Sequence, residues 1–170
     1  MLEVSAGTGE HAAFFAAALP HLTWQPTDLD ERALLSIAAH REAADVNNLS
    51  PPLTLDAASA DWPVLRADAV VCINMIHIAP WAACIGLTAG AARTLPPGGL
   101  FYLYGPYKEG GAHTAESNLR FDLDLRLRDS SWGVRNLEDV VALAAEHGLQ
   151  HSETVTMPAN NRSVVFVRSD

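Results

Sequence analysis

Apolar positions along the chain change period in a regular way. Short apolar runs at Leu2–Ser5, 22–28, 53–56, 68–74 and 100–105 read as strands, and most of the segments between them carry apolar residues at helical spacing. Alanine-rich Glu10–Leu19 predicts a helix ended by Pro20, and Asp30 caps a second helix through about Ala44. Pro80 opens a third, which runs to about Leu95 and stops before the Pro-Pro-Gly-Gly of 96–99. The run 68–74 (DAVVCIN) is apolar at consecutive positions, as in a central parallel strand covered on both faces. Residues 106–136 are polar and read as loop, with a helix over Ser117–Arg128 in which Phe121 and Leu125 share a face. Leu137–His147 predicts a helix closed by Gly148, and 151–157 and 163–169 read as a terminal strand pair joined by a turn at 158–161.

Strand–helix alternation of this kind predicts a single α/β domain over residues 1–170. It is Rossmann-like, with a mostly parallel seven-stranded sheet, helices on both faces and an antiparallel strand at its C-terminal edge. Ligands of such sheets bind at the carboxyl ends of the strands, so the residues just after each strand carry the candidate chemistry. The long apolar stretch 67–92 raises a membrane question, but Asn74, His77 and Pro80 interrupt it. It reads as a buried strand, a polar turn and a packed helix.

Composition narrows the partners. The formal charge of −9 and the absence of a basic stripe point away from nucleic acid and toward a small-molecule partner, with no membrane association expected. Cys72 and Cys84 match no metal or redox spacing, so no metal site is expected and a reduced, cytoplasmic setting is.

Gly7 and Gly9 lie between the first strand and the first helix. Glycine allows a tight turn and leaves no Cβ in the way of a ligand, and the helix start offers free N–H groups. The Gly7, Gly9, Ala12 pattern, with Asp28 after the second strand in the place of a ribose-binding carboxylate, fits a dinucleotide or S-adenosylmethionine. Three features favour S-adenosylmethionine. Glu3 is a carboxylate inside a buried strand and makes sense if it faces the site. Asp56 follows the third strand, where it can accept from an adenine amino group. The fourth strand ends in the polar cluster of INMIHIAPW.

The segments LEVSAGTGEHA, Asp28, LTLDA, DAVVCINMIHI and PPGGLFYLYGPY resemble, in order, the motifs of class I S-adenosylmethionine-dependent methyltransferases. More narrowly, INMIHIAPW, LYGPYKEGGAHTAESNLRFD and MPANN resemble the domain-of-unknown-function 938 family, of the methyltransferase-like protein 26 type. The resemblance implies S-adenosylmethionine as cofactor, contacted by Glu3, Ser5, Gly7, Gly9, Asp28, Leu29, Asp56, Ala57 and Asn74. It implies methyl transfer as the activity, and the acidic chain without a basic stripe points to an O, N or S atom of a small molecule as the acceptor. Ser5 stands where the methyltransferase loop has its first glycine. The strand begins at Leu2, whereas class I members have a preceding helix, so an N-terminally shortened member is expected.

Methyl transfer needs an aligned nucleophile and, for many acceptors, a base. His77, after the fourth strand, and His113 are the candidate bases. Tyr104 and Tyr107 are expected to wall the acceptor pocket, with Asn160 and Asn161 touching substrate from the terminal turn. Gly110 and Gly111 read as a mobile lid, and Lys108 as a solvated loop lysine or a contact to an anionic substrate. The density of Arg126, Arg128, Asp129, Trp132 and Arg135 fits either pocket contacts or an ion-pair network. Two other functions remain open: a catalytically silent binding or scaffold protein on the same fold, and a nicotinamide-linked reductase, since Tyr104 and Lys108 have Tyr-x-x-x-Lys spacing.

Overall fold

Five strands run parallel because a helix or a long loop returns the chain between each pair. A computed structural model describes residues 1–170. Strand β1 (Leu2–Val4) leads through the glycine turn into helix α1 (Glu10–Ala18), then β2 (Gln25–Asp28) and α2 (Glu31–Ala44). Asp30 caps α2 as expected, its side chain accepting from Arg32 N at 2.8 Å. There follow β3 (Leu53–Thr54), β4 (Ala69–Ile73), a single 3-10 turn (Met75–His77), α3 (Trp81–Thr94) and β5 (Leu100–Pro106).

The second strand is shorter than the expected 22–28 run. Trp24 instead forms an isolated bridge with Leu49, while the Asn48 side chain donates to the carbonyls of Ala16, Leu19 and Leu22 and so finishes α1. The polar region 106–136 is more structured than its composition implies. It holds a small hairpin, β6 (Lys108–Glu109) and β7 (Ala112–His113), and helix α4 (Glu116–Arg128). Gly110 and Gly111 both have positive φ at the hairpin tip, so they form a tight two-residue connection in place of the expected lid. Helix α5 (Leu137–Glu146), β8 (Leu149–Met157) and β9 (Asn161–Arg168) complete the chain.

The sheet order is β3-β2-β1-β4-β5-β9-β8. The C-terminal edge is antiparallel as expected, and the last strand in sequence slots between β5 and β8, antiparallel to both. Alternate strand residues separate the two faces. Leu2, Val4, Val70, Cys72, Phe101 and Leu103 enter the main core with Cys84, Leu87 and Ala91 of α3 and Val140 and Leu143 of α5. The opposite face carries α1, where Ala12 and Ala16 pack with Trp24 and Leu49. The apolar stretch 67–92 resolves into β4, the turn and α3, and no helix is long and apolar enough to cross a membrane.

Candidate active site

At the carboxyl end of β1 the backbone must reverse sharply to enter α1. Ser5, Gly7 and Gly9 all take positive φ, at +61°, +60° and +88°. The turn is tied to the neighbouring strand: Gly7 N–H donates to Asp28 Oδ2 at 2.9 Å, and Asp30 N–H donates to Oδ1 at 3.0 Å. The two glycines have different reasons to be glycine. A Cβ on Gly7 meets nothing within 4 Å, so the turn there faces open space. A Cβ on Gly9 would sit 2.7 Å from the Ile37 backbone, so Gly9 serves the contact between α1 and α2, and the ligand-clearance reason expected for it belongs to Gly7 alone.

Beside the turn lies a cleft of about 340 Å3 that gathers Ser5, Leu29, Asp56 and Ala57 with Val4, Leu55, Met75 and Ile78. Its walls are mostly apolar. Asp56 stands exposed at this cleft with one oxygen accepting from Ala58 N–H at 2.8 Å. Met75, Ile78, Ala79, Ala82 and Ala83 also line it and were not assigned to the site from the sequence, although the INMIHIAPW cluster after β4 was visible.

Glu3 does not join this group. Strand alternation turns it to the α1 face, opposite Leu2 and Val4, where its carboxylate accepts from Trp24 Nε1 at 2.6 Å and is 1 % exposed. It holds no loop N–H group. Burial pushes its carboxyl up to about 7, opposed by the indole bond and assisted by the charge of Asp28.

Asn74 lines a second, larger cavity of about 670 Å3 on that α1 face, together with Tyr104, Tyr102, Ile73, Phe15 and Met157. Asn74 and Met75 are consecutive and line different cavities, so the two cavities flank the turn after β4. Asn161 Nδ2 donates to the Tyr104 hydroxyl at 3.1 Å. Asn160 is turned toward α4: its side chain donates to Ser117 Oγ, and its carbonyl accepts from Asn118 Nδ2 at 3.0 Å. Sequence reasoning missed Asn118 and Asp122. Their signal was two polar residues at helical spacing with Leu125, the three that form the buried side of α4.

Two further expected site residues, His77 and Tyr107, are sealed in the core. His77 is fully buried and lines neither cavity. Its Nδ1 accepts from Arg135 N–H at 3.3 Å, its Nε2 has no partner, and its ring lies edge-on to Tyr107 at 5.1 Å. Burial foremost, then the Arg135 charge, drives its pKa down to about 3, partly opposed by Asp122. A histidine so placed stays neutral and out of reach of solvent, not poised as a base. Tyr107 is likewise fully buried, with its hydroxyl unpartnered and its pKa raised by burial, so it packs the core and does not wall a pocket.

His113 has a different setting. Its Nε2 lies 3.2 Å from Asp122 Oδ2, and its Nδ1 is buried without a partner. Lys108, expected as a solvated loop residue or an anion contact, also lies 3.2 Å from Asp122 Oδ2. Tyr104 and Lys108 fall on separate strands, and the lysine reaches toward Asp122, away from Tyr104, which removes the Tyr-x-x-x-Lys reading. The basic residues downstream divide: Arg126 joins the Asp122 network, while Arg135 donates to the carbonyls of Ile76, Ala79 and Ser131 and sits 5.6 Å over the Trp81 ring.

Five parallel strands closed by an inserted antiparallel strand, with a glycine turn after β1 pinned to the acid that ends β2, define the class I methyltransferase fold. Residues 1–168 match the family described as "Protein of unknown function (DUF938)", and the chain belongs to that family. Among solved structures, an O-methyltransferase family protein from Burkholderia thailandensis superposes with a TM-score of 0.87 at 16% identity, covering 99% of this chain and 50% of that one. An O-methyltransferase family 2 protein from Planctomyces limnophilus, in complex with apigenin, gives 0.82 at 20% identity, covering 98% and 50%. Human N-acetylserotonin methyltransferase, in complex with S-adenosylmethionine, gives 0.80 at 13% identity, covering 100% and 47%. The chain thus spans about half the length of these structures, and at such identities the likeness is one of fold.

Proposed function

We propose that this protein, a methyltransferase-like protein 26 type of member, is an S-adenosylmethionine-dependent methyltransferase acting on an O, N or S atom of a small molecule. The observation that carries the reading is the Gly7–Asp28 bond beside the cleft of Ser5, Leu29, Asp56 and Ala57. The residues present fit the cofactor. Gly7 leaves open space at the turn, and Asp28 spends one lone pair of each oxygen on the backbone, keeping acceptor capacity for ribose hydroxyls. Asp56 keeps one oxygen free for an adenine amino group, and Leu29, Met75 and Ile78 supply apolar contact that excludes water.

When bound, the cofactor supplies an electrophilic methyl group on a sulfonium. The protein's part is to align the acceptor and take its proton. Asn74 and Tyr104 are the acceptor-facing pair, and the Asn161 amide positions the Tyr104 hydroxyl from behind. With His77 sealed in the core, His113 is the base we assign. Asp122 holds its Nε2 and so sets the ring's orientation; Nδ1, the nitrogen left to receive a proton, is buried, so this role requires the β6–β7 hairpin that carries His113 to open toward the acceptor.

Calorimetric titration with S-adenosylmethionine and S-adenosylhomocysteine tests the reading, and binding of neither removes it. Binding without turnover on any metabolite pool supports the silent alternative. Given an acceptor, His113→Asn should lower kcat by about 100-fold or more with little change in cofactor affinity.

A further inference from the structure

A third cavity, of about 460 Å3, is polar where the other two are apolar. Lys108 of the hairpin, Arg126 of α4, Arg135, and Asn136 and Asp139 at the start of α5 line it, with Trp81 as its aromatic wall. Trp81 follows Pro80, which lines the proposed cofactor cleft, so the two concavities adjoin along the chain.

The electrostatics of this cavity are unusual for an acidic chain. Asp122, 4 % exposed and not itself part of the lining, pairs with two of the lining cations: it accepts from Val134 N–H at 2.7 Å and from Arg126 Nε at 3.2 Å, and Lys108 Nζ lies 3.2 Å away. One carboxylate therefore answers two permanent cations and the His113 ring. Arg126 uses only Nε in this bond, so both terminal NH2 groups are uncommitted, and its side chain is 46 % exposed. Lys108 has Asp122 as its sole partner and two N–H donors to spare. The only opposing charge among the lining residues is Asp139, exposed at the cavity and held by Asn136 Nδ2 at 3.2 Å. Uncommitted guanidinium and ammonium donors converging on a concave, part-buried space suit a planar carboxylate or a phosphate.

We propose that this cavity binds the carboxylate or phosphate group of the small molecule that receives the methyl group. The ligand's role as acceptor rests on the methyl-transfer reading; the anion site does not. The test titrates the full chain with inorganic phosphate and with malonate at constant ionic strength, following tryptophan fluorescence with Trp81→Phe as the signal control. A saturable change in the millimolar range is expected, and the better of the two probes identifies the anion class. Lys108→Gln and Arg126→Gln should each weaken binding about tenfold. Asp139→Asn, an exposed change that leaves the buried network intact, should tighten it about two- to threefold. No saturable response to either anion overturns the proposal, as does a response that all three variants leave unchanged. S-adenosylhomocysteine is titrated into the same proteins. Anion binding with these variant effects but no cofactor binding keeps the site and sinks the methyl-transfer reading.

Discussion

The Gly7 amide donates to the Asp28 carboxylate across adjacent strands at 2.9 Å, and with Ala6 N–H on the Thr27 carbonyl this bond holds the turn after β1 against the end of β2. Asp28→Asn would lose the charge and set an amide N–H₂ against one of the two backbone donors, Gly7 N–H or Asp30 N–H. We expect a loss of about 1–3 kcal/mol in urea unfolding. We also expect at least about a tenfold loss of S-adenosylhomocysteine affinity by calorimetry. Unchanged affinity would separate Asp28 from the cofactor.

The two glycines of the turn should respond differently to alanine. Gly9→Ala adds a Cβ against the Ile37 backbone at φ +88° and should cost more than about 2 kcal/mol of stability. Gly7→Ala meets no atom and should cost about 1 kcal/mol from φ alone, while lowering cofactor affinity because the added methyl enters the space at the turn. Chemical denaturation and calorimetry on the pair read both effects.

Ser5 occupies a left-handed conformation, φ +61°, where a side chain is disfavoured. Ser5→Gly should relieve that strain and raise stability by about 0.5–1 kcal/mol, less the entropy gained by the unfolded chain. A lower melting temperature in the variant would show that the Ser5 side chain contributes more than its backbone costs.

Glu3 makes stability depend on pH in an unusual direction. Its carboxyl titrates near 7 in the folded chain, above its ordinary value of 4.5, so the folded state holds a proton that the unfolded state has released between those values. Its contribution is therefore complete below about pH 4.5 and lost as pH rises through 7. Glu3→Gln keeps an acceptor for Trp24 Nε1 and removes the titration. The variant should be more stable than the parent by on the order of 2 kcal/mol at pH 8, with the difference shrinking toward pH 4.5. A pH-independent difference would place the effect elsewhere.

His77 should show the opposite slope. Its imidazole is held neutral to about pH 3, so the folded state binds fewer protons than the unfolded chain below the ordinary value of 6.5, and stability falls as pH drops through that window. Ring-proton chemical shifts followed by NMR should show no titration of His77 between pH 8 and pH 5. A midpoint near 6.5 would mean that the imidazole reaches water.

Features set by neighbours in sequence were legible without a structure. The strand and helix periods, the Asp30 cap and the strained turn around Gly7 and Gly9 depend on a few consecutive residues, and so did the expectation that strand ends carry the site. The cleft of Ser5, Leu29, Asp56 and Ala57 follows from them, because parallel strands bring their carboxyl ends to one side of the sheet. Other assignments depended on distant segments. Which side of β1 Glu3 meets was decided by Trp24, and the burial of His77 by Arg135 and Tyr107. The β6–β7 hairpin is too short to hold itself and docks through Lys108 N–H on the Arg135 carbonyl and Gly110 N–H on Glu138. Local propensity acts over a turn or two of chain. Burial and charge pairing act between residues that only the folded sheet brings together, so the sequence by itself determined the elements and their order, and the tertiary structure decided which polar side chains are open to chemistry and which are sealed in the core.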